Sequence, residues 1–395
     1  MSTGMQGKPG VLVIVSSLLC GGAERHSVTL LNGLDSQEFR LSFAYIKRQG
    51  ALLDEVDTSR LESSFSLDVK SGIELRAIRE LARRMDALAL DVAVCTNGYA
   101  ATYALLASKL CKRPVRIVAV FHSTIIDRWR DKLRVLAHTF VFRRCDALVY
   151  VSHLQQDHWH TWGLRVEQER VIQNGIDAGH YTDRYAEPVK AEYRAALGFL
   201  ANDYVIGICA ALRPEKAHGD FLEAIARLRQ QGLPAKGLIV GTGPEQARIE
   251  AEISARGLES HVTLAGFQPD VRPYIAVSDV MVLTSHAVET FSLAALESMS
   301  MGKPVVLSRI GGAAEQVTHG VHGLLYERGD IDALTQHLKS LCSPAERARL
   351  GSAAAHRVRQ QFTLEKMLSA YAQELRDLSA TTRTACLDVH VAQTD

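Results

Sequence analysis

Two glutamates eight positions apart, Glu289 and Glu297, frame the apolar segment Thr290-Phe-Ser-Leu-Ala-Ala-Leu296, which follows a strand-like run, Val280-Met-Val-Leu-Thr284. A helix beginning near Phe291 would point its unpaired amides at the loop holding Glu289, and Glu297 would lie about two turns along at ~1.5 Å rise per residue. Phe291, Ser292 and Leu293 would then supply donors to an anion, with a hydroxyl-accepting carboxylate on each side. A sugar joined through two phosphates to a nucleoside presents the complementary order of groups. An ordinary amphipathic helix with two solvated glutamates satisfies the same residues.

Other strand ends carry related chemistry. Ala210-Ala-Leu-Arg-Pro-Glu-Lys216 brings two cations, Arg213 and Lys216, to one strand end, where charge-assisted hydrogen bonds could neutralise a departing diphosphate; a solvated helix entry beside Glu215 is the plain alternative. Cys20-Gly-Gly-Ala-Glu-Arg25 places Gly21 and Gly22 where a turn lets backbone approach a ligand. Neither these glycines nor Gly241-Thr-Gly243 form a dinucleotide fingerprint, because Gln246 takes the third glycine's place and no acidic residue ends the second strand near Ile46. His122, in Val120-Phe-His-Ser123, ends an apolar strand. His153, His158 and His160 do not share one helix face, so no metal is expected.

These residues need strands and helices to position them, and the chain has the means. Its 395 residues exceed what one core comfortably serves, and 47% apolar with 23% charged residues is the composition of a soluble globular protein. With 45 basic against 44 acidic residues, nothing points to nucleic acid. Seven cysteines scattered from Cys20 to Cys386, with no Cys-x-x-Cys, fit a reducing compartment better than a disulfide framework or zinc site. The run Val11 to Leu19 is too short to span a bilayer, which takes ~20 residues. Lys8 before it and Cys20 after it imitate a lipoprotein signal, but the large Leu19 is wrong for cleavage and a buried first strand is expected.

Strand-like runs at Val11–Val15, Leu41–Ile46, Val92–Cys95, Val115–Val120 and Leu148–Val151, then Tyr204–Ala210, Gly237–Gly241, Val262–Ala265, Val280–Leu283 and Pro304–Leu307, alternate with helical patterns. Such alternation means βαβ units on parallel sheets. Asn174-Gly-Ile-Asp177 and the polar stretch to Glu192 read as the interdomain connection, and residues after Ala380 as an aperiodic tail. Two basic amphipathic segments, Ile126–Arg144 and Ile73–Leu88, suit either packing on the first sheet or an anionic membrane surface.

As a set, the Gly-Gly pair, Val-Phe-His-Ser, Asn-Gly-Ile-Asp, Arg-Pro-Glu-Lys and the paired glutamates, in that order from Val11 to Tyr371, resemble the retaining glycosyltransferases of the GT-B fold, family 4. The resemblance implies two doubly wound Rossmann-like α/β domains facing across a cleft: residues 1–180 on the acceptor side, 190–363 binding a nucleotide sugar, a helix at about 364–379 able to pack back on the first domain, and a flexible tail at 380–395. It implies that Glu289 contacts the donor hexose, Glu297 the ribose, and Arg213 and Lys216 the diphosphate. His122 would sit against the transferred sugar, Gly21 and Gly22 near the phosphates, and Gly243 and Phe267 near the base. No cofactor or metal is implied. The partners implied are a UDP- or GDP-linked donor, a glycan or lipid-linked acceptor of a bacterial surface polysaccharide, and the inner face of the cell membrane for a cytoplasmic enzyme. Two departures stand out: Ala211 where the family often has arginine, and Ser292 where many members have glycine. A nucleotide-sugar epimerase of the same shape and a noncatalytic carbohydrate- or nucleotide-binding partner of a membrane assembly are the alternatives.

Overall fold

The computed structural model describes residues 7–18, 21–48, 50–122, 139–287 and 289–391. The chain divides into two compact units, residues 1–173 with 367–395, and residues 174–366.

In the first unit, the continuous apolar runs become strands because a parallel sheet covered on both faces has no polar side to alternate with. β1 (Gly10–Val15), β2 (Arg40–Tyr45), β3 (Leu61–Ser66), β4 (Val92–Thr96), β5 (Arg116–Phe121), β6 (Ala147–Tyr150) and β7 (Glu169–Val171) lie in the order β3-β2-β1-β4-β5-β6-β7. Val11 pairs with Leu41 on one side and Val92 on the other, all strands being parallel. Helices α1 (Gly22–Gly33), α2 (Leu75–Ala87), α3 (Asn97–Ser108) and α4 (His153–Thr161) are among the crossovers. The order reverses between β1 and β4, so the loops leaving these strands part to opposite faces and open a crevice at their carboxyl ends.

The second unit repeats the logic. β8 (Tyr204–Cys209), β9 (Ala235–Val240), β10 (Val262–Gly266), β11 (Val280–Leu283), β12 (Val305–Ser308) and β13 (Leu324–Tyr326) are ordered β10-β9-β8-β11-β12-β13. Here the reversal falls between β8 and β11. The helices are α5 (Glu187–Ala196), α6 (His218–Gln230), α7 (Gln246–Ala255), α8 (Arg272–Val277), α9 (Leu293–Ser300), α10 (Ala313–Gln316), α11 (Ile331–Ser340) and α12 (Pro344–Gln361). A last helix, α13 (Leu364–Val391), follows.

Two readings of the sequence change. The polar stretch after Asp177 is structured: α5 starts there with Pro188 in its first turn, Lys190 pairs with Asp183 at 2.8 Å, and Arg194 donates to the Val277 carbonyl at 3.0 Å and to Asp279 at 2.9 Å. The stretch therefore belongs to the second unit. Past Ala380, where the sequence read as an aperiodic tail, α13 continues to Val391. Leu378, Ser379 and Thr382 are buried, and Thr382 Oγ1 donates to the Asp91 carbonyl at 3.4 Å, so tertiary contact supplies what the pattern lacked.

Of the basic segments, α2 buries Ala77, Ile78, Leu81, Ala82 and Met85 in the core while Arg76, Arg79 and Arg83 stay in water, with Ile73 and Leu75 exposed beside them. Residues 123–138 of the other segment lie outside the described residues. Among the described residues no helix is long and apolar enough to cross a membrane.

Gly175 joins the start of the second unit to its end. A Cβ there would lie 2.2 Å from the Thr363 carbonyl oxygen, while Ile176 bridges Thr363. Gly175→Ala should therefore lower stability by about 1–3 kcal/mol, the usual cost of forced overpacking. Chemical denaturation with an unchanged slope would check it.

Candidate functional site

In the second unit the loops that leave β8 and β11, the strands flanking the reversal, are stitched together. The Thr284 hydroxyl donates to the Lys216 carbonyl at 2.8 Å, and the His286 amide donates to the Glu215 carbonyl at 2.8 Å. Between these bonds the Lys216 ammonium meets Glu289 Oε2 at 2.5 Å, and the Ser285 hydroxyl donates to the same oxygen at 2.9 Å. Both charged side chains are mostly shielded, at 19% and 14% exposure, so neither is a freely solvated surface group.

The loop's path is tightly determined. His286 Nε2 lies 2.5 Å from Asp220 in the first turn of α6, and Arg328 donates to the His286 carbonyl at 2.9 Å. Gly311, at φ +48°, passes so close to the Glu289 carbonyl that a Cβ would overlap it at 1.6 Å, and the Gly312 amide donates to the Thr290 carbonyl at 2.7 Å. The Asn174 side-chain amide holds the Phe291 carbonyl at 2.8 Å. Gln316 takes the Ser292 peptide from both sides, accepting from its N–H at 3.2 Å and donating to its C=O at 2.8 Å.

The helix expected near Phe291 begins at Leu293, with Ser292 as its cap; the Ser292 hydroxyl accepts from the Ala295 amide at 3.3 Å. Glu297 is consequently in the fifth position of the helix and not two turns along. Two of the amides that an anion could have used, those of Ser292 and Ala295, are occupied by side chains. The amides of Phe291 and Leu293 have no partner among the described residues and stay available. Glu297 is buried at 6% exposure; burial, and then the Glu297 charge, push the Cys209 thiol pKa far up at the end of β8.

Arg213 and Lys216 stand at the two ends of one 3-10 turn, Pro214–Lys216, with the Lys216 amide donating to the Arg213 carbonyl at 3.0 Å. Arg213 is about half exposed and, among the described residues, reaches only Glu215, at 4.0 Å, so it is not in the Lys216–Glu289 pair. Gly243 runs against the Arg213 loop: a Cβ on it would lie 2.3 Å from the Leu212 carbonyl oxygen. Phe267 follows the edge strand β10 and is 46% exposed. It is not part of the stitched cluster.

In the first unit, Gly22 opens α1 at the end of β1, with open space where its Cβ would be; Gly21 has the Glu24 carboxylate 2.4 Å from that point. His122 follows β5, and its amide donates to Asn97 Oδ1 at 3.3 Å. Its Nε2 is shut off from solvent without a partner among the described residues, and burial, with His26 nearby, holds its pKa well below the ordinary histidine value. A neutral imidazole with one buried, unused nitrogen thus stands at a strand end. Of the three helix histidines, His160 is bonded to Glu169 at 2.7 Å and the His158 ring is set against Trp159. Among the described residues no three metal-binding side chains cluster.

Sequence reasoning missed Gln316, Asp220, His286, His26 and His218. His218 is 3% exposed with both ring nitrogens unpartnered among the described residues, and burial, then the Lys216 charge, lowers its pKa to about 4. Its place two residues after Lys216 was the only available signal.

Residues 20–180 match the profile of Glycosyltransferase Family 4 and residues 189–357 that of Glycosyl transferases group 1. N-acetyl-alpha-D-glucosaminyl L-malate synthase of Bacillus anthracis is 30% identical over 270 residues, covering 68% of this chain and 69% of that protein. The amylovoran biosynthesis glycosyltransferase AmsK of Erwinia amylovora is 29% identical over 265 residues, 64% of this chain and 61% of its own length; the chain thus spans about three fifths to two thirds of these relatives. The structure of Anabaena Alr3699/HepE in complex with UDP-glucose superposes with a TM-score of 0.82 at 23% identity, over 93% of this chain and 99% of that one. At that identity the likeness establishes the fold.

Two outcomes follow for the site. His218 has a folded-state pKa below its unfolded value of 6.5, so the unfolded chain binds the extra proton; its stabilisation is whole above about pH 6.5 and drains away as pH falls towards about 4. The loss should approach roughly 3 kcal/mol, and His218→Leu should flatten that limb in a stability–pH series. Gln316→Met strands the buried Ser292 N–H, while the Ser292 carbonyl keeps the Leu296 amide at 3.3 Å; the loss should be about 1–3 kcal/mol, readable by denaturant unfolding.

Proposed function

The chain belongs to the GT-B glycosyltransferases of family 4 and group 1, and from that premise we propose that it is a retaining hexosyltransferase. It takes a hexose from a UDP- or GDP-linked donor and passes it to a glycan or lipid-linked acceptor in the synthesis of a bacterial exopolysaccharide, lipopolysaccharide or capsule. The observation that carries this reading is the Lys216–Glu289 pair at the reversal point of the second sheet, where open α/β sheets bind ligands.

The chemistry follows from the leaving group. A nucleoside diphosphate departs as an anion, so the site must hold developing negative charge with preorganised donors. Lys216, Arg213 and the amides of Phe291 and Leu293 serve it. When the diphosphate draws the ammonium, Glu289 Oε2 becomes free to accept from a sugar hydroxyl, and Glu297 takes the ribose. Gly22, with open space at its Cβ position, leaves room beside the phosphates with Gly21 preceding it, Gly243 and Phe267 border the base, and the neutral His122 meets the transferred sugar. The acceptor hydroxyl attacks on the face the leaving group vacates, giving its proton to the departing phosphate; that route needs no second carboxylate of the glycosidase kind. Support for a sugar polymer as product comes from AmsK, whose name places it in amylovoran synthesis, and for a UDP-sugar from HepE, solved with UDP-glucose. Work on the inner membrane face in the cytoplasm accords with Ile73 and Leu75 standing exposed beside Arg76, Arg79 and Arg83.

A thermal-shift panel of UDP- and GDP-sugars should show selective stabilisation, about 2.7 kcal/mol at one hundred times the dissociation constant. Glu289→Ala and Lys216→Ala should each lower product formation by on the order of a hundredfold or more. Release of nucleotide independent of any acceptor would instead favour the epimerase, and full product formation by both variants would favour a noncatalytic partner.

A further inference from the structure

The first unit contains a buried polar series, of which the proposed chemistry uses only one end, His122. His26, on α1, is 2% exposed, and its Nε2 lies 3.0 Å from the hydroxyl of Tyr371, on α13, which is 1% exposed. The His26 ring meets the His122 ring edge to face, centroids 4.8 Å apart, and the Tyr371 ring stands 5.5 Å from His26 on another side. Three side chains from segments far apart in sequence thus form one contact series, ending at the unpartnered His122 Nε2.

The proton positions along this series are determined. Among the described residues the Tyr371 hydroxyl has one hydrogen-bond partner, His26 Nε2, and burial raises the phenol's pKa far above its ordinary value, so it keeps its proton. A buried O–H that does not donate costs about 1–3 kcal/mol, so the phenol donates and His26 Nε2 accepts. A neutral His26 then carries its proton on Nδ1. With its tautomer and ring plane fixed, His26 presents one face or edge to His122, whose burial disfavours a cationic ring.

We propose that His26 and Tyr371 are positioning residues that fix the ring orientation and tautomer of His122, so that the imidazole meets the sugar in one protonation form. The last helix is then part of the sugar-facing apparatus through a single hydroxyl. The proposal rests on the reading of His122 as a sugar-facing group, and the test keeps the two separable.

The test is long-range proton–nitrogen correlation on the full chain labelled with 15N-histidine, with His122→Gln and His26→Gln used to assign the rings. The wild type should show both histidines neutral, each as one dominant tautomer, and His26 protonated on Nδ1. Tyr371→Phe, which removes one oxygen, should shift His26 towards a tautomer mixture and move the His122 ring nitrogens as well; His26→Gln should leave His122 with averaged signals. In cells, the same two variants should lower polysaccharide product on the order of tenfold or more, as small misplacements of reacting groups do, with melting temperature changed far less than in a core truncation. Unchanged His122 nitrogen shifts in both Tyr371→Phe and His26→Gln would overturn the proposal. Full product from His122→Gln would instead overturn the reading of His122 while leaving the spectroscopic result standing.

Discussion

An ammonium and a carboxylate, Lys216 and Glu289, face each other at 2.5 Å where two strands of one sheet part company. Neither is open enough to water to be stable alone, since removing one partner of a shielded pair leaves the other uncompensated. Much of the surrounding architecture keeps the pair together: Thr284, Ser285 and His286 bond back to Lys216, Glu289 and Glu215. Gly311 must be glycine, because its backbone touches the Glu289 carbonyl at a positive φ. An anionic ligand meets a cation already aimed and a carboxylate that can be released, so the cost of ordering these side chains is met in folding.

The same device recurs in a neutral form in the other unit. There the strand end carries an imidazole kept uncharged by burial, near a glycine-opened helix, and it too depends on partners from distant sequence. In both units the parallel sheet's order reversal determines where the loops part, and side chains distant in sequence hold the neighbouring segments: Gln316 and Asn174 the Phe291–Ser292 backbone in one, Tyr371 the His26 ring in the other. Structure of this kind concentrates stability next to chemistry, so that substitutions at Gln316 or Gly311 bear on both.

Much of this was legible in the sequence. Ten apolar runs read as strands are strands, because a strand covered on both faces must be apolar throughout. The three not read, Leu61–Ser66, Glu169–Val171 and Leu324–Tyr326, are all sheet edges. An edge strand pairs on one side only, so its sequence need not carry the signal: Leu61–Ser66 holds three serines and a glutamate. Glu289, Lys216 and His122 could be singled out because their types are unusual beside apolar runs. Gln316 and Tyr371 could not, since their roles come from contacts 24 and 345 residues away in sequence. The start of α9 was misplaced by two residues because Ser292 caps the helix where its own amide was expected to be free. The stretch of α13 around Ala380 has too little periodicity to announce itself, and the burial of Leu378 and Thr382 anchors it there.

The central claim is that Lys216 is a diphosphate-binding cation held ready by Glu289. Calorimetric titration of UDP and of GDP into wild type, Lys216→Gln, Glu289→Gln and the double variant tests it most directly. One nucleotide should bind the wild type, lose on the order of tenfold or more in affinity with Lys216→Gln, and bind Glu289→Gln at least as well as wild type, since the competing carboxylate is gone; the double variant should resemble Lys216→Gln. Equal affinity across all four proteins, or no binding of either nucleotide by the wild type, would contradict the account.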